Sequence, residues 1–150
     1  MKKDTLKIAL IGCGGIAQEH WKGIQRIATR VHVTAVVDTN LEALNAMAAS
    51  TGAEPFSEIG LALEHGDFDA VDIMLPHNLH ESAALDCFKA QKHVLLEKPM
   101  AHDLRSAERI LEASKQVDAV FMIAEQAQYW PDILKAKELM DDGSIGEIIS

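Results

Sequence analysis

Directly after the apolar run Leu6–Ile11 the chain reads Gly12-Cys13-Gly14-Gly15-Ile16-Ala17, and from Ile16 onward apolar residues recur at helical instead of strand spacing. A buried strand, a glycine turn and a helix in that order open an α/β unit, and few other architectures use them so. The segment fits G-x-G-x-x-[G/A], which a chain of this composition throws up by chance about 0.1 times. Gly12 permits the tight turn, Gly14 lets backbone approach a pyrophosphate, and Ala17 allows close packing of helix on strand. The helix start adds free N–H groups and the positive end of a dipole. The bland alternative is a purely structural glycine turn.

The rest of the chain keeps the alternation. Ile16, His20, Ile24, Ile27 and Ala28 predict a first helix over residues 14–29, Val31–Val37 a second buried strand, and Asp38-Thr39-Asn40 a turn and cap before a helix carrying Leu41, Leu44 and Ala48. A short helix over residues 57–64 leads to a third strand over 70–75, broken by Pro76. Leu79, Ala83, Cys87 and Ala90 mark a helix, residues 94–96 a strand, Leu104, Ala107 and Leu111 a helix capped by Asp103, and residues 119–124 a fifth strand. Pro131 opens a last helix that Gly143 closes. The expected fold is therefore α/β, a doubly wound parallel sheet of the Rossmann dinucleotide-binding kind over residues 1–143. Glu147-Ile148-Ile149-Ser150 reads as a strand beginning, so residues 144–150 are expected to start a truncated second domain.

Charge narrows the partners. The net charge is −9, and the stretch from Val31 to Phe88 holds 10 acids and neither Lys nor Arg. A nucleic-acid surface needs a basic patch, so none is expected. No apolar run approaches membrane-spanning length, the charged start Met1-Lys2-Lys3-Asp4 is unlike a secretory signal, and Cys13 and Cys87 have no metal-binding or disulfide-framework spacing. The expectation is a cytoplasmic protein with reduced thiols and no membrane contact.

Three places carry chemistry. Asp38 closes the second strand 21 residues after Ala17, where such folds place a carboxylate on the ribose hydroxyls; a helix N-cap is its other use. With no cation between Arg30 and Lys89 to neutralise a 2′-phosphate, NAD is preferred over NADP. Pro76-His77-Asn78-Leu79-His80 follows the third strand; its His-x-x-His spacing lacks a convincing third ligand, so no metal is expected and a loop wall against the cofactor is favoured. Glu97-Lys98-Pro99 ends the fourth strand, where a lysine can hydrogen-bond a substrate hydroxyl and help move its proton, or simply pair with Glu97 at the surface.

With these residues in view, the chain resembles the Gfo/Idh/MocA oxidoreductases over essentially its whole length. The likeness rests on the glycine loop, the segment from Pro76 to His80, Lys92-His93-Val94-Leu95-Leu96-Glu97-Lys98-Pro99, and Gly143-Ser144-Ile145-Gly146-Glu147-Ile148. It implies that Lys98 is the active-site lysine beside nicotinamide and substrate, that Glu97 and Pro99 shape its loop, and that Pro76, His77 and His80 line the cofactor cleft. It also implies an α+β substrate domain beyond this chain, supplying the catalytic histidine and usually the oligomer interface. The chain is then the nucleotide-binding half of an NAD-dependent sugar or polyol oxidoreductase, a homo-oligomer when whole and inactive as these 150 residues alone. His77 stands where many members have Asn, and Gln128 where many have Arg. Two other classes share the glycine loop and the acid: an S-adenosylmethionine-dependent methyltransferase, in which Glu97-Lys98-Pro99 has no role, and a non-catalytic NAD-sensing module, which has no need of Lys98.

Overall fold

A computed structural model describes residues 5–147 and 149. In chain order the elements are β1 (Leu6–Ile11), α1 (Gly15–Gln25), β2 (Val31–Val37), α2 (Leu41–Thr51), β3 (Glu54–Phe56), α3 (Ile59–His65), β4 (Ala70–Ile73), α4 (His80–Lys89), β5 (His93–Glu97), α5 (Leu104–Ser114), β6 (Phe121–Ala124) and α6 (Pro131–Asp141). The six strands form one sheet in the order β3-β2-β1-β4-β5-β6, and all five pairings are parallel. Strand order reverses between β1 and β4, so their carboxyl ends flank a crevice where the loops part to opposite sides.

Both sheet faces are apolar because each strand must bury side chains in both directions. On one face Ala17 and Ile24 of α1 and Leu44 and Met47 of α2 pack on Ile8, Leu10, Val33 and Val36. On the other, Ala62 of α3, Ala83, Ala84, Cys87 and Phe88 of α4 and Ile110 of α5 cover Ile11, Val71, Ile73, Val94 and Leu96. Burying a side chain such as Ile110, fully enclosed, contributes about 1.5–3 kcal/mol. Coverage is uneven. Beside α1 an apolar groove of about 480 Å³ runs over Ile27, Leu95, Val120 and Met122, and α6 buries none of its residues.

The expected doubly wound sheet is present with one strand more than the five read from sequence. The extra strand, β3, is three residues long and contains Pro55. It sits at the sheet edge, where a missing N–H is tolerated. The first helix stops at Gln25 instead of continuing to residue 29: Arg26 and Ile27 donate to the carbonyls of Gly23 and Ile24, tightening the chain so that Leu6 can bond Arg30 as β2 begins. The strand expected from Glu147 rests on Ile148 and Ser150, which lie outside the described residues.

Candidate cofactor-binding site

The glycine loop is wedged between the ends of β2 and β4. The Gly12 N–H donates to the Val37 carbonyl at 2.8 Å, and Met74 just past β4 donates to Ile11 at 2.8 Å. Gly12 has φ +95°, and a Cβ there would lie 2.8 Å from the Met74 carbonyl oxygen, so both torsion and space demand glycine. Gly14 and Gly15 differ: a Cβ on either meets nothing within 4 Å. Their surroundings are open, as a backbone cradle for a phosphate must be. Gly14 caps α1 without a side-chain bond, and the first helical turn contains no acid, leaving its N–H groups and dipole unanswered. Ile16 is half exposed at this helix start, whereas Ala17 is fully buried and sets the distance of α1 from the sheet.

Asp38 joins this loop to the end of β2. Its Oδ2 accepts from the Cys13 N–H at 2.7 Å and its Oδ1 from the Asn40 N–H at 2.8 Å. Each carboxylate oxygen still has room for one more donor, which suits a vicinal diol. The cap of α2 is not Asp38 but Asn40, whose side chain accepts from Glu42 and Ala43. Cys13 contributes backbone only. Its thiol is buried against the Val37 carbonyl, and burial, with the nearby Asp38 charge, pushes its pKa up to about 11.

At the carboxyl end of β4, Pro76 and His77 are exposed, His77 opening the single 3-10 turn His77–Leu79 that leads into α4. His80 behaves differently. It is fully buried, with Nε2 2.9 Å from the Leu75 carbonyl and Nδ1 3.1 Å from that of Pro99. It therefore ties the loop after β4 to the loop after β5 from beneath, and what it presents to the cleft is the exposed His77 packed edge-on against it at 5.4 Å. Among the described residues no group of three or more His, Cys, Asp or Glu side chains is arranged to hold a metal. Gln128 lies in a 3-10 turn and donates to the Glu125 carbonyl at 2.9 Å.

Lys98 follows β5, exposed, before a cis peptide bond to Pro99. Glu97 is 7% exposed; its carboxylate Oε2 accepts from the Lys98 N–H at 2.9 Å and lies 3.9 Å from Nζ. Glu97 is thus not a surface partner but a buried one. Beneath it is a group that sequence reading did not single out: His20 of α1 places Nδ1 2.7 Å from Oδ2 of Asp72 and Nε2 3.0 Å from Oε1 of Glu97. Asp72, 4% exposed, sits in the apolar strand β4, and that misplaced acid was the available signal. Removing one member would strand a buried charge at a cost of ~3–5 kcal/mol.

Comparison with known proteins agrees with this geometry. Residues 6–125 match GFO/IDH/MocA, an oxidoreductase family with an NAD-binding Rossmann fold. An inositol 2-dehydrogenase from Arthrobacter sp. (strain FB24) is 33% identical over 155 residues, covering 97% of this chain and 44% of the relative. The structure superposes on the WlbA dehydrogenase from Bordetella pertussis, determined in complex with NADH and UDP-GlcNAcA, with TM-score 0.91 and 30% identity over 95% of this chain and 43% of that one. It also matches apo scyllo-inositol dehydrogenase from Lactobacillus casei, with TM-score 0.92 and 27% identity over 99% of this chain and 44% of that one. The chain spans less than half the length of these relatives. Glycine loop, strand-end acid and reversed strand order converge with these similarities: the chain belongs to the GFO/IDH/MocA oxidoreductase family and carries its NAD-binding Rossmann domain.

Proposed function

We propose that this chain is the NAD(H)-binding part of a dehydrogenase acting on a sugar or polyol, and that it prefers NAD(H) to NADP(H). The single observation that carries the preference is Asp38, held by the Cys13 and Asn40 amides at the end of β2 with its charge facing outward from a segment that holds no Lys or Arg from Val31 to Phe88. Such a carboxylate accepts from a 2′-hydroxyl and repels a 2′-phosphate. The residues that would hold the cofactor are Gly12, Gly14 and Gly15 with the α1 amides, Asp38 at the ribose, and the exposed Pro76 and His77 as a loop wall. When bound, nicotinamide supplies the hydride acceptor or donor.

Within this proposal Lys98 is the catalytic residue of this half, donating to a substrate hydroxyl and helping to move its proton. Residues 1–143 form the dinucleotide domain and 144–150 lead into a substrate domain, which supplies the substrate pocket and the oligomer contacts. Inositol dehydrogenases among the relatives support the substrate class. Two buried thiols, Cys13 and Cys87, suit a reducing compartment, the cytoplasm. The described residues contain no helix long and apolar enough to cross a membrane.

Titrating the chain with NADH and NADPH tests the cofactor reading. NADH should bind at least about tenfold more tightly, and Asp38→Ala should weaken NADH while narrowing the gap. Equal or tighter NADPH binding would sink the preference, and competition by S-adenosylmethionine without NADH binding would favour a methyltransferase. In the whole protein, Lys98→Met should lower kcat/KM by roughly 100-fold or more with NADH affinity nearly unchanged, whereas near-normal turnover would return Lys98 to a surface ion pair.

A further inference from the structure

The buried group under Lys98 brings three titratable side chains, His20, Asp72 and Glu97, together against the sheet interior. A ring that places both nitrogens on carboxylates must carry a proton on each, because an ionised carboxylate only accepts. Neutral imidazole could serve one acid and would turn a lone pair on the other. Which acid would keep the donor follows from their other partners. Asp72 Oδ1 is buried with no partner among the described residues, and its Oδ2 has only His20; Glu97 Oε2 additionally holds the Lys98 amide. Loss of the ring proton therefore leaves the remaining N–H on Asp72 and a bare nitrogen against Glu97.

We propose that His20 is a positioning residue for Lys98: its doubly protonated ring, clamped between Asp72 and Glu97, fixes the carboxylate that seats the Lys98 backbone and faces its ammonium. The role assigned to Lys98 above gives this its functional meaning; the linkage itself concerns only this chain's own groups. His20 belongs to α1, whose start is the glycine loop, so one helix presents the cofactor cradle at its end and steadies the lysine from its second turn.

The surroundings favour the charged ring. The hydrogen bond that His20 donates to Asp72 is the largest influence raising its pKa above 6.5, partial burial opposes it, and Glu97 adds to the rise. Glu19 of α1 and Glu125 after β6 line the same cavity of about 410 Å³ as the ring, and Glu19 is paired with Lys22 at 2.7 Å. With the folded pKa raised, the clamp is fully made below the unfolded value near 6.5 and is lost as pH rises through the folded value.

The experiment is a titration of the ¹⁵N-labelled chain without cofactor between about pH 5.5 and 8.5, following the His20 ring nitrogens and the Lys98 amide together. The expected result is a His20 midpoint above its ordinary value and an inflection of the Lys98 amide at that same midpoint, transmitted by Glu97 Oε2. In His20→Gln the inflection should vanish and trace acetylation of Lys98 at neutral pH should change several-fold relative to exposed Lys115, with NADH affinity kept within about two-fold. A Lys98 amide that ignores the His20 midpoint in the wild-type chain overturns the proposal, even if His20→Gln fails to fold. Unchanged Lys98 acetylation in a folded His20→Gln overturns it as well. Failure of the wild-type chain to bind NADH would count against the cofactor reading alone, since the coincidence of the two midpoints is read without cofactor.

Discussion

Two glycines two residues apart in the same loop do different jobs, and substitution should separate them. At Gly12 a methyl group meets backbone, the Met74 carbonyl, at a torsion that L residues rarely adopt. Gly12→Ala should cost ~1–3 kcal/mol and lower the urea midpoint of the chain. At Gly14 the added methyl enters open space at φ −75°, so Gly14→Ala should leave stability within about 1 kcal/mol. It should nonetheless weaken NADH roughly tenfold, ~1.4 kcal/mol, by filling the approach to the backbone. Urea unfolding and NADH titration of the two variants check this; equal effects on both readouts would mean that the loop is a structural turn throughout. The same distinction holds for the two histidines beside the cleft, since His77 is exposed where His80 spends both nitrogens on carbonyls.

Among the elements, α2 owes its register to Asn40, whose side chain takes the Glu42 and Ala43 amides at 3.0 and 3.1 Å. Asn40→Ala should lower stability by about 1 kcal/mol in denaturant while leaving NADH affinity unchanged, because Asp38 bonds the Asn40 backbone and not its side chain. A large loss of NADH affinity would show that cap and ribose site are one unit. The sequence made the long elements readable because their apolar period is unambiguous, and it put the glycine loop, Asp38 and Lys98 at strand ends, which the parallel sheet brings to one edge. Asn40 could not be told from Asp38 as a cap, since both are good acceptors within one turn before the helix start. β3 was hidden by Pro55, a residue that argues against strands except at edges, and edges are a property of the finished sheet. In sequence His20 reads only as one position of a helix period, because its partners Asp72 and Glu97 are 52 and 77 residues away and only the parallel register of β4 and β5 brings them side by side.

For the molecule as a whole, a six-stranded sheet with an apolar core on each face predicts that these 150 residues fold and bind cofactor, while the single wall of a cleft predicts that they do not turn over substrate. Orienting a polyol and excluding water from it can account for ~7 kcal/mol or more of a barrier, and Lys98 alone offers no opposing surface. A thermal melt should rise with NADH, by the equivalent of about 2.7 kcal/mol at 100 times Kd, and an absorbance assay over sugars and inositols should stay flat. Robust turnover would mean that every catalytic group lies within the chain. The uneven coverage of the sheet adds a dynamic consequence. Among the described residues β6 has a neighbour on one side only, the α1 side of the sheet leaves Val120 and Met122 exposed, and α6 is docked by no buried side chain. Amide hydrogens of β6 should therefore exchange with solvent through small, local openings, orders of magnitude faster than those of β1 and β4. The proposed cofactor site lies at the ends of β1, β2 and β4, so NADH binding there should slow exchange in the centre and leave β6 almost untouched. That exchange pattern would make the domain two cooperative units on one sheet, a rigid half carrying the proposed dinucleotide site and a loose margin free to rearrange beside it.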